Sequence, residues 1–253
     1  MARCIGPVAH GNWTGARIPS RPRITARYIC MMATLYHYPL SPFCRKVRIC
    51  AAEKNIPVAL EPETPWRRRP EFLAISPGGT VPVWIEDDGT TIADSGAICE
   101  YLEETVPDPA LLGDDPYQRA ETRRLVAWFD TKFHDEVTRY VHGERLLKRL
   151  RRDGEPNSAA IRAGRQNLVT HLAYIAWLTD HRNWLAGNAF SLADIAAAAQ
   201  LSVLDYLGEV QWDEAPEAKD WYQRIKSRPT FRPILADVLP GFTPPAHYAD
   251  LDF

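Results

Sequence analysis

Long apolar runs are missing from this 253-residue chain: no stretch approaches the roughly 18 to 20 residues that cross a bilayer, so nothing in it reads as a transmembrane helix. Cysteine is scarce. The five present (Cys4, Cys30, Cys44, Cys50, Cys99) stand at wide, uneven spacings, which argues against a disulfide framework and a zinc site and makes a reducing cytoplasm the expected compartment. The seven histidines offer no H-E-x-x-H or comparable spacing, and His134, His142, His171 and His181 recur at intervals that do not converge, so no metal site is expected. G-x-S-x-G, a phosphate-cradling glycine loop and a dinucleotide fingerprint are also absent, which removes the common hydrolase, nucleotidase and Rossmann readings. What remains, at 45% hydrophobic and 25% charged, is an ordinary globular composition long enough for two modest domains.

Acidic residues are lacking from the first thirty positions, which hold five arginines (Arg3, Arg17, Arg21, Arg23, Arg27). Removing that stretch takes the formal net charge from −2 to −7. With neither the apolar core of a secretory signal nor a helical stripe, residues 1–31 read as a disordered basic extension or an upstream start artefact, with Met31 or Met32 as the start. Dispersed charges interrupted by prolines make a poor nucleic-acid arm, and no nucleic-acid partner is expected.

From Met32 onward the pattern alternates. "TLYHY" reads as a buried strand, "CRKVRICAAEKN" as a helix with Val47, Ile49 or Cys50, and Ala51 inward, and "PVALEPE" as a second strand. "WRRRPEFLAIS" reads as a loop with one irregular helical turn. "TVPVWIEDDGTTIAD" is a hairpin, because Asp87-Asp88-Gly89 supplies turn chemistry between two β-rich runs, and "SGAICEYLEETV" closes the unit as a helix. The fold class is therefore α/β plus all-α: a β-α-β-α-β-β-α unit over residues 32–106, a turn-rich linker over 107–116, and a helical domain over 117–238.

In the helical part, "FSLADIAAAAQL" carries the sharpest local signal. Ser191 and Asp194 have capping-box spacing, and the alanines that follow let neighbouring helices approach closely, so this helix should lie at the bundle centre. "ERLLKRLRRDG" places cations in the last turn of a long helix, where the helix dipole favours them. The aromatic set Trp128, Phe129, Phe133 and Tyr140 fits an apolar pocket, a core or a dimer interface equally well.

Four stretches in order, "SPFCRKVR", "SPGGTVPVW", "ADSGAICEYL" and "SLADI", resemble the glutathione S-transferase superfamily from about Met32 to about Val238. The resemblance implies a thioredoxin-like N-terminal domain followed by a helical bundle. It also implies a cis peptide before Pro82 that turns the Val81 backbone toward the cysteinyl unit of glutathione, with Ser95 donating to the γ-glutamyl carboxylate and Asp94 facing its amino group. One of Arg67, Arg68 or Arg69 would meet the glycyl end. Ser41 and Cys44 are the candidates for the reactive position at the start of the first helix, whose dipole favours a thiolate. A buried, inert Cys44 competes with a nucleophilic one, and Ser41 before proline is equally a loop and cap residue.

Beyond the bundle the chain runs "PGFTPPAHYADLDF", a proline-rich tail over 239–253 that ends with Tyr248, Asp250, Leu251, Asp252 and Phe253. An acidic-aromatic end after a proline spacer reads as a docking segment, or as a flap covering an apolar patch on its own bundle. With "WRRRPEF" and the altered "SPFC", it resembles the FzlA-like branch of the superfamily, division proteins that bind FtsZ filaments. That branch implies a cytoplasmic homodimeric scaffold working at the division site, with FtsZ as partner and no cofactor required. The other branch of the reading is a transferase that conjugates glutathione to a small electrophile.

Overall fold

The computed structural model describes residues 32–251, and its first half is built on a four-stranded sheet of order β2-β1-β3-β4. β1 (Ala33–His37) runs parallel to β2 (Val58–Pro62), and both β3 (Val83–Ile85) and β4 (Thr91–Ala93) join as antiparallel partners. Three helices accompany the sheet: α1 (Pro42–Glu53), α2 (Pro70–Ile75) and α3 (Ser95–Thr105). A single-turn 3₁₀ helix, Pro65–Arg67, precedes α2, so the expected loop carries two short helical pieces. The hairpin turns at Gly89, where φ is 84°, a value at which glycine has no Cβ to clash.

The second half starts with a continuous helical run. α4 (Pro116–Ala127) passes into π-helical Trp128–Thr138, then α5 (Arg139–His142), a second π stretch at Gly143–Leu147, and α6 (Lys148–Arg151). In the widened part the Arg139 N–H reaches back five residues to the His134 carbonyl. There follow α7 (Ser158–His181), α8 (Leu192–Tyr206), α9 (Pro216–Lys226) and the short α10 (Arg232–Leu235).

All fifteen residues of α8 are buried, as its alanine-rich pattern requires. Its start is fixed by Asp194, whose carboxylate accepts from the N–H and hydroxyl of Ser191, from Leu185 N–H and from Trp221 Nε1 at 2.9–3.0 Å. Four donors on one buried carboxylate satisfy a group that would otherwise be costly to desolvate. Close approach also decides α7 against the long run: a Cβ at Gly164 would lie 2.7 Å from the Val141 side chain.

The two halves are riveted together through α1, whose cations are all internal. Arg45 is fully buried and donates to Ser202 of α8 at 2.9 Å and to Pro39 O at 2.8 Å. Arg48 pairs with Asp237 at 2.8 Å, and Lys46 pairs with Asp130. Across the turn-rich 107–116 stretch, Lys54 donates to Val106 O and Pro109 O, and Glu103 accepts from Leu111 and Leu112 N–H. That stretch is therefore tied down on both sides, with Leu111 and Leu112 buried.

Candidate functional site

Ser41 is the N-cap of α1. Its Oγ accepts from the Cys44 N–H at 3.3 Å, with Pro42 at the first helical position. The serine thus answers one of the unpaired N–H groups of the helix start, and it remains half-buried. Cys44 does not meet the requirement of a nucleophile. Its side chain is completely buried, its Sγ accepts from Tyr38 N–H at 3.4 Å, and burial pushes the thiol up to about 11. Without a thiolate at neutral pH, Cys44 is a small core residue, which corrects its candidacy as a catalytic thiol.

The residues expected around glutathione lie at element ends. The Val81–Pro82 peptide is cis and leads into β3, with Val81 half-buried. Asp94 is the N-cap of α3 at φ 78°, and its Oδ1 accepts from Gly96 N–H at 2.7 Å. Ser95 follows as the first, buried residue of the helix. Asp94 and Ser95 open onto a cleft of about 520 Å³, whose wall also includes Phe43, Arg123, Asp130 and Thr131. Ser41 and Val81 are not part of that wall. In that wall Asp130 pairs with the buried Lys46, and burial pushes the Asp130 carboxyl up against the pull of that lysine. The start of α3 brings its helix-dipole end to this cleft, whose wall carries Asp94, Glu100 and Asp130 against the single cation Arg123.

Of the three arginines expected at the glycyl end, Arg69 is held by the buried Glu63 at 2.7 Å, while Arg67 and Arg68 are exposed. The aromatic set divides. Phe129 and Phe133 are core residues, Trp128 donates from Nε1 to His171 Nδ1 at 3.2 Å and packs on Tyr174, and Tyr140 is 40% exposed.

At Tyr248 the tail follows the flap alternative rather than the docking one. Tyr248 is fully buried and shares a core cluster with Leu40, Leu146 and Tyr206. Its hydroxyl donates to Ile234 O at 3.2 Å, and its ring meets Tyr206 edge-on at 5.1 Å. A side chain so placed cannot also be presented to a partner, so Tyr248 is corrected from contact residue to anchor. His247 Nε2 lies 3.0 Å from the Oδ1 of buried Asp205, and Lys226 Nζ donates to His247 O at 2.8 Å. Asp250 is exposed and Leu251 half-buried, whereas Asp252 and Phe253, also named as partner-binding, lie outside the described residues. Periodicity gave no signal for this anchoring. The cue was a tyrosine after Pro-Pro, which stops a helix and leaves a ring to be placed.

A family model for the glutathione S-transferase N-terminal domain matches residues 35–110, and one for the C-terminal domain matches residues 148–229. The chain belongs to the glutathione S-transferase superfamily. FtsZ-localized protein A of Caulobacter vibrioides is 50% identical over 223 residues, which is 87% of this chain and 98% of that protein. The solved structure of FzlA from C. crescentus superposes with a TM-score of 0.86 at 49% identity, covering 88% of this chain and all of that one. A glutathione S-transferase from Rhodospirillum rubrum F11 superposes equally well, at 55% identity and with the same coverage. Relatives with a division-protein name and with an enzyme name thus share this transferase fold.

Proposed function

We propose that this protein is a homodimeric transferase-fold scaffold that binds FtsZ filaments and promotes their curvature during bacterial constriction, with the tail contributing to the contact. The observation that carries this reading is the 50% identity to FtsZ-localized protein A across nearly its whole length. The burial of Cys44 is compatible with it, since that thiol is withdrawn from solvent. A two-fold dimer presents each contact surface twice, which is what bridging or bending a polymer requires. A cytoplasmic location at the division site follows from the same reading.

Co-sedimentation with GTP-assembled FtsZ tests it, using the full chain, a chain ending at Tyr248, and Asp250→Ala. Pelleting that falls when the residues after Tyr248 are removed is the expected result. A truncated chain that pellets like the full one removes the tail from the contact, and a folded full chain that stays in the supernatant rejects the reading.

The transferase reading is favoured by one arrangement, the cis Val81–Pro82 peptide together with Asp94 and Ser95 at the start of α3. It requires saturable glutathione binding, weakened at least tenfold by Ser95→Ala or Asp94→Ala in titration calorimetry. Absence of binding at millimolar glutathione rejects it.

A further inference from the structure

Two arginine clusters far apart in the chain meet in the fold. Arg67 and Arg68 follow Trp66 at the 3₁₀ turn after β2, and Arg149, Arg151 and Arg152 end the long helical run. The Arg151 guanidinium lies 5.5 Å from the centre of the Trp66 ring, which brings the ends of the two clusters together, while the Arg149 guanidinium lies 4.7 Å from the Phe242 ring of the tail. All five arginines are exposed, and among the described residues none of the five takes part in an ion pair. Their neighbours behave differently: Arg69 is paired with Glu63, Arg145 with Glu209 and Lys148 with Glu144. The patch stands on a molecule that is otherwise acidic, −7 after the first thirty residues, so composition does not account for it.

We infer that this surface, built from Arg67, Arg68, Arg149, Arg151 and Arg152, docks a short acidic polypeptide segment of the filament partner. The inference rests on the filament-binding reading above and adds a second contact to that of the tail. Guanidinium groups pair with carboxylates in a planar, bidentate geometry, which suits glutamate or aspartate side chains. The exposed acids Glu71, Asp153 and Glu155 flank the arginines in sequence, so a long polyanion such as nucleic acid would meet like charge beyond the patch, whereas a segment bearing a few carboxylates would not. Beside the arginines lies a cleft of about 330 Å³ whose wall carries Arg139, Lys148 and Arg151 together with the acids Glu144 and Asp153. His142 itself is buried and held neutral behind this lining, so the contacts open to a docked segment are those of the exposed arginines.

The test is quantitative co-sedimentation with GTP-assembled FtsZ across a salt series, using full chains. It compares the parent protein, Arg67→Glu/Arg68→Glu, Arg151→Glu/Arg152→Glu and, as control, Arg119→Glu. Arg119 lies in the first turn of α4, near the opposite end of the long helical run from Arg149, Arg151 and Arg152. Each double reversal should weaken binding at least tenfold and flatten its salt dependence, with the control within twofold and all thermal midpoints retained. If the parent protein pellets and the reversals pellet equally, the filament reading stands and the arginine surface is overturned. If the parent protein does not pellet, the filament reading has failed, and fluorescence anisotropy with a labelled deca-glutamate peptide decides the surface alone. Peptide binding that the reversals remove retains an acidic docking site; absent binding, or tighter binding of a single-stranded oligonucleotide, overturns it.

Discussion

The loop Tyr38–Ser41 with the first turn of α1, and the tail segment Leu239–Leu251, are the two stretches in which function was sought, and the fold treats them differently while bringing them together. The loop turns inward. Ser41 caps α1, Cys44 is buried, and Leu40 fills a core cluster. The tail turns inward only as far as Tyr248, which enters that same cluster, and then leaves Asp250 in solvent. A cysteine in a reactive-looking motif is thus buried in the core, whereas a proline-rich stretch combines an anchor with an exposed end. The two are also coupled, because the residue preceding Ser41 rests against the tail anchor.

That coupling can be broken most directly at Tyr248. Tyr248→Ala removes a buried ring and its hydrogen bond and should destabilise the protein by about 3–5 kcal/mol in urea denaturation, with early proteolysis of the tail. A loss under about 1 kcal/mol would mean that the tail does not hold the loop.

Acid should act next, through the buried histidines His37 and His142. Burial lowers His37 to about 4 and His142 to about 3, so the unfolded chain binds more protons than the folded one below the ordinary histidine value near 6.5. Stability is then full above that value and falls as pH drops toward 4, by roughly 3 kcal/mol between pH 6.5 and 5. Denaturant midpoints measured across that range check the sign, and His142→Leu should flatten the acid limb.

Smaller effects sharpen the contrast within the loop. Ser41→Ala should lose about 1 kcal/mol, the usual magnitude of an N-cap, with no effect on filament binding. Cys44 in the folded protein should stay unreactive toward an aromatic disulfide reagent at neutral pH and react only on unfolding. Rapid labelling of Cys44 under native conditions would reopen the loop as a chemical site.

Much of this was legible in the residues because it depends on local rules. The hairpin follows from Asp87-Asp88-Gly89, the start of α8 from Ser191 and Asp194, and the irregular ends from proline. Apolar spacing placed strands first and helices after. Two things could not be read from it. Arg45, Lys46 and Arg48 look like the solvated face of an amphipathic helix, yet all three are buried. Their partners, Ser202, Asp130 and Asp237, come from elsewhere in the chain. Likewise Phe129 and Phe133 fitted pocket, core and interface alike until neighbouring helices enclosed them.

The sequence by itself determined the family, the order of the elements and where helices begin and end, since caps, turns and periodicity act over a few residues. Tertiary structure alone decided that Cys44 is buried, that Tyr248 is an anchor, and that Arg151 at the end of α6 stands over Trp66. Each of these depends on burial or proximity between segments far apart in the chain, and electrostatic and desolvation energies are set by that three-dimensional distance rather than by spacing along the chain.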